Sequence, residues 1–227
     1  MPADKGLTTI RKMKKKTTSP RVNNVREDTV DRIVSAATRL FANKGYDGTS
    51  TKEVCQAAGA NIAAIHYHFG SKENLYRHII EQFAAERLES ARKILQTPMN
   101  AEDLRVRLEI FLRQVVETIL KQPDVAILIQ RGSEMSDFIS EDIYRNTMVK
   151  LFEKLVEFFA QAKKKGFLAA EVDPFIAAGF IKNQFLHQTR YDDVVKKYYG
   201  YSLKDEKYRT RWIHQTVRIF LAGVMGK

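Results

Sequence analysis

"AAGANIAAIHYHFGSKENLY", residues 57–76, holds two of the chain's five histidines, His66 and His68, on either side of Tyr67. Asn61 is a good helix N-cap, Gly70 a breaker, and Ala63 and Ala64 favour helix. The stretch therefore predicts a short helix from Ile62 to about His68, with Ile65 and Phe69 turned inward. Each helical residue turns by about 100°, so side chains two apart point about 200° apart. His66 and His68 cannot then close on one metal. On a strand they would share a face, but the alanines and flanking breakers argue against a strand. A metal also needs three or four ligands, and no H-E-x-x-H or cysteine pair accompanies these histidines. Nor does any nucleophile–base constellation or Gly-rich phosphate loop. The chain is expected to be no enzyme and to need no metal or cofactor. What remains for this helix is contact with another molecule.

Working outward, Val30, Ile33, Val34, Ala37, Leu40 and Phe41 recur at i, i+3, i+4 and i+7, one apolar stripe on a preceding helix. Asp28 and Asp31 are expected near its positive end, and Gly45 is its stop. Ser50 and Glu53 match a capping box that opens a second helix ended by Gly59. Val54 and Ala58 face inward there. Ser71 caps a fourth helix running through Leu75, Ile79, Ile80, Phe83 and Leu88. Two short helices joined by a glycine-containing turn, within a three-helix unit, make a helix-turn-helix. Ile62, Ala63, Ala64, His66, Tyr67 and His68 cannot all be buried in so short a helix. Small Ala63 and Ala64 let the backbone approach base edges, and Tyr67 and His68 can donate to bases or phosphates. Asn61 begins the same helix. Ser50, Thr51 and Lys52 open the second helix and Lys72 the fourth, where helix N-termini, hydroxyls and a lysine suit phosphate oxygens. The bland alternative makes the histidines ordinary surface or cap residues.

Residues 36–76, "AATRLFANKGYDGTSTKEVCQAAGANIAAIHYHFGSKENLY", resemble the DNA-binding domain of the tetracycline-repressor (TetR) family of bacterial transcription regulators. The carriers are the helix ending Leu-Phe, then Lys-Gly-Tyr, Thr, Ala-Ala-Gly, aromatic-His-Phe and Ser-Lys-Glu. The chain departs from the family's common pattern at Ile62, Ala63, Ala64 and His66, inside the reading helix. The resemblance implies a double-stranded DNA operator as partner. It also implies repression as the default, and a homodimer built by the last two helices.

Beyond residue 90 only pattern speaks. Leu104, Leu108, Phe111, Leu112, Val115 and Ile119 line one helix. A short apolar helix, "DVAILIQRGSEM", follows Pro123. "SEDIYRNTMVKLFEKLVEFFAQAKKKG" reads as one long helix, and "KKYYGYSLK" as an aromatic, basic loop. Asp173 caps the penultimate helix, with Pro174 at its first position. The total is an all-α chain of about nine helices. An effector pocket would draw on Phe111, Gln114, Arg131, Phe152, Phe159, Phe180, Asn183, Gln184 and His187, and its phenylalanines suit a small apolar or aromatic ligand. Core packing explains the same phenylalanines equally well. For the dimer, Ile176, Phe180, Trp212, Ile213, Val217, Phe220, Leu221 and Val224 are the candidates, pairing as a four-helix bundle across a two-fold axis.

Charge divides the chain. Residues 1–25 carry seven Lys/Arg against Asp4 alone, more than half of the net +11. Such an arm is too polar to fold alone and suits polyanions; the alternative is a solvated tail. The expected organisation is a basic arm over 1–25, the helix-turn-helix over 26–72, and an effector and dimerisation domain over 73–227. The single cysteine, Cys55, precludes an internal disulfide and fits a reducing cytosol. No apolar run is long enough to span a membrane, and no secretory signal opens the chain, so a cytoplasmic protein is expected.

Overall fold

Ile33, Ala37 and Phe41 are fully buried, with Ala36 and Ala42 beside them, so the predicted stripe is the inward face of α1 (Pro20–Lys44). The computed structural model describes residues 20–134 and 138–225; most of the basic arm lies outside them. α1 begins earlier than expected. Asp28 and Asp31 stand well inside it, not at its positive end, and Asp28 pairs with Arg32 one turn on, at 3.5 Å. Pro20 suits the first helical position, where no N–H is required.

The following elements are α2 (Thr51–Ala58), α3 (Ile62–Phe69), α4 (Lys72–Ile94), α5 (Ala101–Lys121), α6 (Pro123–Glu134), α7 (Phe138–Tyr144), α8 (Lys150–Lys164), α9 (Pro174–Arg190), α10 (Asp192–Tyr199) and α11 (Glu206–Val224). Among the described residues the only strand-like pairing is the bridge Leu168–Met225. The class is all-α as expected, with two more helices than the pattern gave. The long helix predicted over 140–166 is interrupted by a π turn, Arg145–Val149. There the Thr147 hydroxyl donates to Ile143 O at 2.6 Å and the Asn146 amide to Asp142 O at 3.0 Å. Side chains that compete for helical carbonyls loosen the ladder. The other addition is α10, whose last four residues, Lys196–Tyr199, begin the stretch read as a loop.

Two cores organise the chain. The first joins α1, α2, Ile65 of α3 and Leu75, Tyr76, Ile79 and Ile80 of α4, and takes in Leu128 of α6 and Ile143 of α7. The second packs α5, α8, α9 and α11 around Phe158 and Phe159. The expected domain division at residues 72 and 73 thus falls at the start of a continuous helix whose first two turns serve the head.

α4 and α5 run antiparallel. Arg107 donates to Ile94 O, Ser90 to Gln114 and Arg87 to Thr118. α5 therefore returns to the head, and Lys121 at its end stands beside α1. α11 is antiparallel to α5 in turn, through Arg113–Thr210 at 3.1 Å and Glu109–His214 at 3.0 Å. α9 consequently descends to the head end of the body and α11 leaves from it, with α10 between them.

Candidate nucleic-acid interface

The capping box predicted from Ser50 and Glu53 is formed in both directions. Glu53 N–H donates to Ser50 Oγ at 3.2 Å and Ser50 N–H to Glu53 Oε2 at 2.8 Å. Lys44, the last residue of α1, bonds Glu53 Oε1 at 2.7 Å. The Lys44 ammonium and the Ser50 donors hold the Glu53 carboxyl far below the usual carboxylate range, at about 2. At the other end of α2, Arg32 donates to Ala58 O at 3.1 Å, a cation at the negative end of the helix. Gly59 adopts φ +60°, which allows the sharp turn into α3. Asn61 Oδ1 accepts from Ala63 N–H at 3.1 Å, as an N-cap should.

These supports leave α3 with one face in and one face out. Ile65 is fully buried and Phe69 partly so. Ile62 and His66, and Ala63 and Tyr67, are i, i+4 pairs on the opposite side, all exposed. Tyr67 is 69% accessible, an unusual state for an aromatic ring. Ala64 and His68 border this stripe and are half-buried, and His68 lies edge-on to Tyr67. His66 Nδ1 lies 3.0 Å from Gly70 O. A neutral His66 then carries its proton on Nδ1, with Nε2 outward as an acceptor. The two histidines thus part as the helical angle requires. Among the described residues no three His, Cys, Asp or Glu side chains form a candidate metal site.

The polar candidates divide. Lys52 is exposed and has no ion pair among the described residues, and Thr51 is the first residue of α2. The Ser50 hydroxyl is committed to its cap. Lys72 differs from expectation. Its ammonium donates to Tyr46 O and Thr49 O, both at 3.0 Å, and lies 4.1 Å from the Tyr46 ring centroid. It clasps the α1–α2 turn to α4. Sequence spacing could not foresee this, because the carbonyls lie more than twenty positions upstream. Arg32 was missed as a support for the same reason, and Lys44 because Glu53, nine positions on, lies in the next helix.

Residues 33–79 match the family model for bacterial regulatory proteins of the tetR family. Over these residues the chain is similar to the DNA-binding head of the TetR family. The HTH-type transcriptional repressor AcnR of Corynebacterium glutamicum is 34% identical over 87 residues, which cover 34% of this chain and 46% of AcnR. The first sequence relatives are all matched over less than half of their length. The TetR-like architecture extends further than that. The ketosteroid transcriptional regulator KstR2 of Mycobacterium tuberculosis superposes with a TM-score of 0.67 at 18% identity, over 87% of this chain and 95% of that one. The fatty acid degradation regulator FadR of Bacillus halodurans does so at 0.68 and 18%, over 92% and 98%. At such identity these two share the fold.

In the body of the chain the expected effector residues do not converge. Phe111 and Phe159 are core residues, and Gln114 accepts from Ser90 at 2.6 Å between α4 and α5. Arg131 is exposed and reaches towards Gly45 on the head. Phe152 meets Phe175 edge-on. Phe180, Asn183, Gln184 and His187 lie on the outer face of α9, where His187 stacks on Tyr191. A cleft of about 380 Å³ opens elsewhere, at the junction of head and body. Val34 and Thr38 of α1, Ile79 and Phe83 of α4, and Lys121 and Val125 of the α5–α6 elbow are among its walls.

The dimer candidates also divide. Ile213, Val217, Phe220 and Leu221 are buried within the protomer, and Trp212 and Val224 pack on the same core. The first four face their own chain's core, and Trp212 and Val224 are only partly covered by it. Ile176 and Phe180 are exposed, at 70% and 57%, and Phe175, Leu186 and Ile219 join them. No helix among the described residues is long and apolar enough to cross a membrane.

Proposed function

We propose that this chain is a transcriptional repressor that binds an operator as a homodimer and leaves it when a small, mainly apolar effector binds. The observation that carries the reading is the outward stripe Ile62, Ala63, His66 and Tyr67 on a helix fixed at both ends. A large exposed ring beside small residues is poorly suited to a solvated surface and well suited to a major groove. Asn61, Ala64 and His68 flank the bases. Thr51 and Lys52 face phosphates at the start of α2, Ser50 serves by capping that start, and Lys72 serves by holding the turn in place. The basic arm over residues 1–25 adds backbone affinity in a neighbouring minor groove.

AcnR is named a repressor, which favours repression here. KstR2 and FadR are named for ketosteroids and fatty acids, which favours an apolar effector. The cleft between α1, α4 and the α5–α6 elbow is the better seat for it, because a molecule wedged there moves α1 against the body directly. A few kcal/mol of differential binding is enough to shift such an equilibrium strongly.

Fluorescence anisotropy on the DNA upstream of this protein's own gene, against a scrambled duplex at two salt concentrations, tests the reading. A preference above about a hundredfold at physiological salt is expected, and Tyr67→Ala should remove most of it without loss of fold. Equal, steeply salt-dependent binding to both duplexes rejects specific recognition of that DNA. Oleate and a 3-ketosteroid are the first effector probes. A probe that binds yet leaves operator affinity unchanged rejects the release mechanism.

A further inference from the structure

Residues 190–211, "RYDDVVKKYYGYSLKDEKYRTR", take no part in either core except through a few anchors. The anchors are firm. The buried Asp192 carboxylate accepts from Ser202 Oγ at 2.7 Å and from Leu203 N–H at 2.6 Å. Leu203 is fully buried, and Arg209 donates to its carbonyl at 2.8 Å. Gly200, at φ +75°, allows the chain to reverse between α10 and this anchor. What the anchors hold outward is aromatic and basic. Tyr198 and Tyr199 are about seven-tenths exposed, and Tyr201 half exposed. Tyr201 stacks on Tyr208 with ring centroids 5.1 Å apart, and the Arg211 guanidinium lies over both rings. Lys204 pairs with Asp193. Lys196, Lys197 and Lys207 have no ion pair among the described residues.

The helical register decides what this surface faces. Thr210 lies beside Arg113, so Lys207 is level with the last turns of α5, and the end of α5 shares a cleft with α1 of the head. The segment therefore projects from the end of the body that carries the reading head. Pairing two protomers through the exposed face of α9 places both copies of it near the two-fold axis, above the DNA that runs between half-sites.

We infer that α10, the turn after it and the first turn of α11 form a further contact with the DNA backbone, central in the operator and made by the body, with Lys196, Lys197 and Lys207 as the charges. The partner's chemistry is a row of phosphates. Ammonium groups without an ion pair neutralise it, Lys197 lying 5.1 Å from the Tyr198 ring centroid, and exposed tyrosine hydroxyls donate to it. This rests on the operator-bound dimer proposed above, and it adds affinity without reading bases.

The test is the salt dependence of operator binding by the full-length dimer carrying K196Q, K197Q and K207Q together. Each phosphate contact contributes about 0.9 to the slope of log K against log salt. A fall of about two or more per dimer is expected, with an equal fall on a scrambled duplex. Tyr198→Phe with Tyr199→Phe should weaken binding several-fold while keeping the charge. The control is R92Q with K164Q and K165Q, three charges at the other end of the body, which should leave the slope unchanged. A slope within one unit of wild type in the α10 variant overturns the inference, as does an equal fall in the control. Wild-type protein that shows no preference for the operator overturns instead the proposed function on which the inference stands.

Discussion

Arg77 Nη1 lies 2.7 Å from Asp142 Oδ2, a bond that ties the second turn of α4, where it still serves the head, to α7 in the body. Glu73 and Glu81 flank the same guanidinium, each at 3.7 Å. The hydrogen bond that Arg77 donates to Asp142 and the three nearby carboxylates raise the Arg77 pKa, so it stays charged throughout. Asp142 Oδ1 also accepts from Asn146 at 2.9 Å, at the start of the π turn. A strut thus runs from the head helix to the π turn.

Both partners of this strut are partly exposed, so solvent screens the pair. A double-mutant cycle of R77Q and D142N in urea unfolding should give a coupling of about 0.5–1 kcal/mol. Zero coupling would mean that the bond holds nothing. If effector acts at the junction of head and body as proposed, the same D142N variant should respond to it at a different concentration from wild type, because the strut joins α4 to α7.

Lys72 separates two roles that sequence alone leaves merged. If its ammonium clasps Tyr46 O and Thr49 O, then Lys72→Met leaves two carbonyls without their donor. The cost should be about 1–3 kcal/mol of stability, read as a lower urea midpoint with an unchanged m-value. The salt slope of DNA binding should stay the same. A variant of normal stability with a reduced slope would restore Lys72 to the phosphate contacts.

Glu53 gives the head an acid dependence of known sign. Its folded pKa, about 2, lies below the ordinary glutamate value of about 4.3. The carboxylate's contribution is therefore complete above about pH 4.3 and is lost as pH falls towards 2. The Glu53→Gln variant should be less stable than wild type at neutral pH, and the gap should narrow steadily below pH 4.3. A carboxyl resonance for Glu53 that titrates near 4.3 in the folded protein would show that the contacts with Lys44 and Ser50 are absent in solution.

The legible parts of this chain are those set by neighbours in sequence. Ser50, Asn61, Ser71 and Asp173 all cap the helices that they were expected to cap, since a cap needs only the next few backbone N–H groups. Ile33, Ala37, Phe41 and Ile65 are buried because helical period alone fixes their face. What period leaves open is which apolar face meets which neighbour. Both α9 and α11 carry large apolar residues on more than one side, so Val217 and Leu221 looked as available to a partner as Ile176. Long-range partners are equally silent: nothing near Lys72 points to Tyr46 O, and nothing near Asp192 points to Ser202. The π turn was hidden because Thr147 and Asn146 are ordinary helix residues until their side chains turn back on the carbonyls.

Phe180 offers the most direct check on assembly. Its ring stacks on Phe220 at 5.8 Å, yet more than half of the residue is open to solvent. With Phe175, Ile176, Leu186 and Ile219 it forms an apolar surface of a kind that a monomer rarely leaves uncovered. Phe180→Asp puts a charge where the proposed dimer would bring two α9 helices together and should convert it to a monomer by light scattering. Ile219→Asp, on α11, should do the same without disturbing the Phe180–Phe220 stack, which guards against simple loss of fold. The monomers should keep their helical circular dichroism and lose operator affinity by a hundredfold or more, because one head spans only one half-site. A wild-type monomer, or dimers that survive both substitutions, would place the two-fold axis elsewhere and remove the α10 surfaces from the centre of the operator.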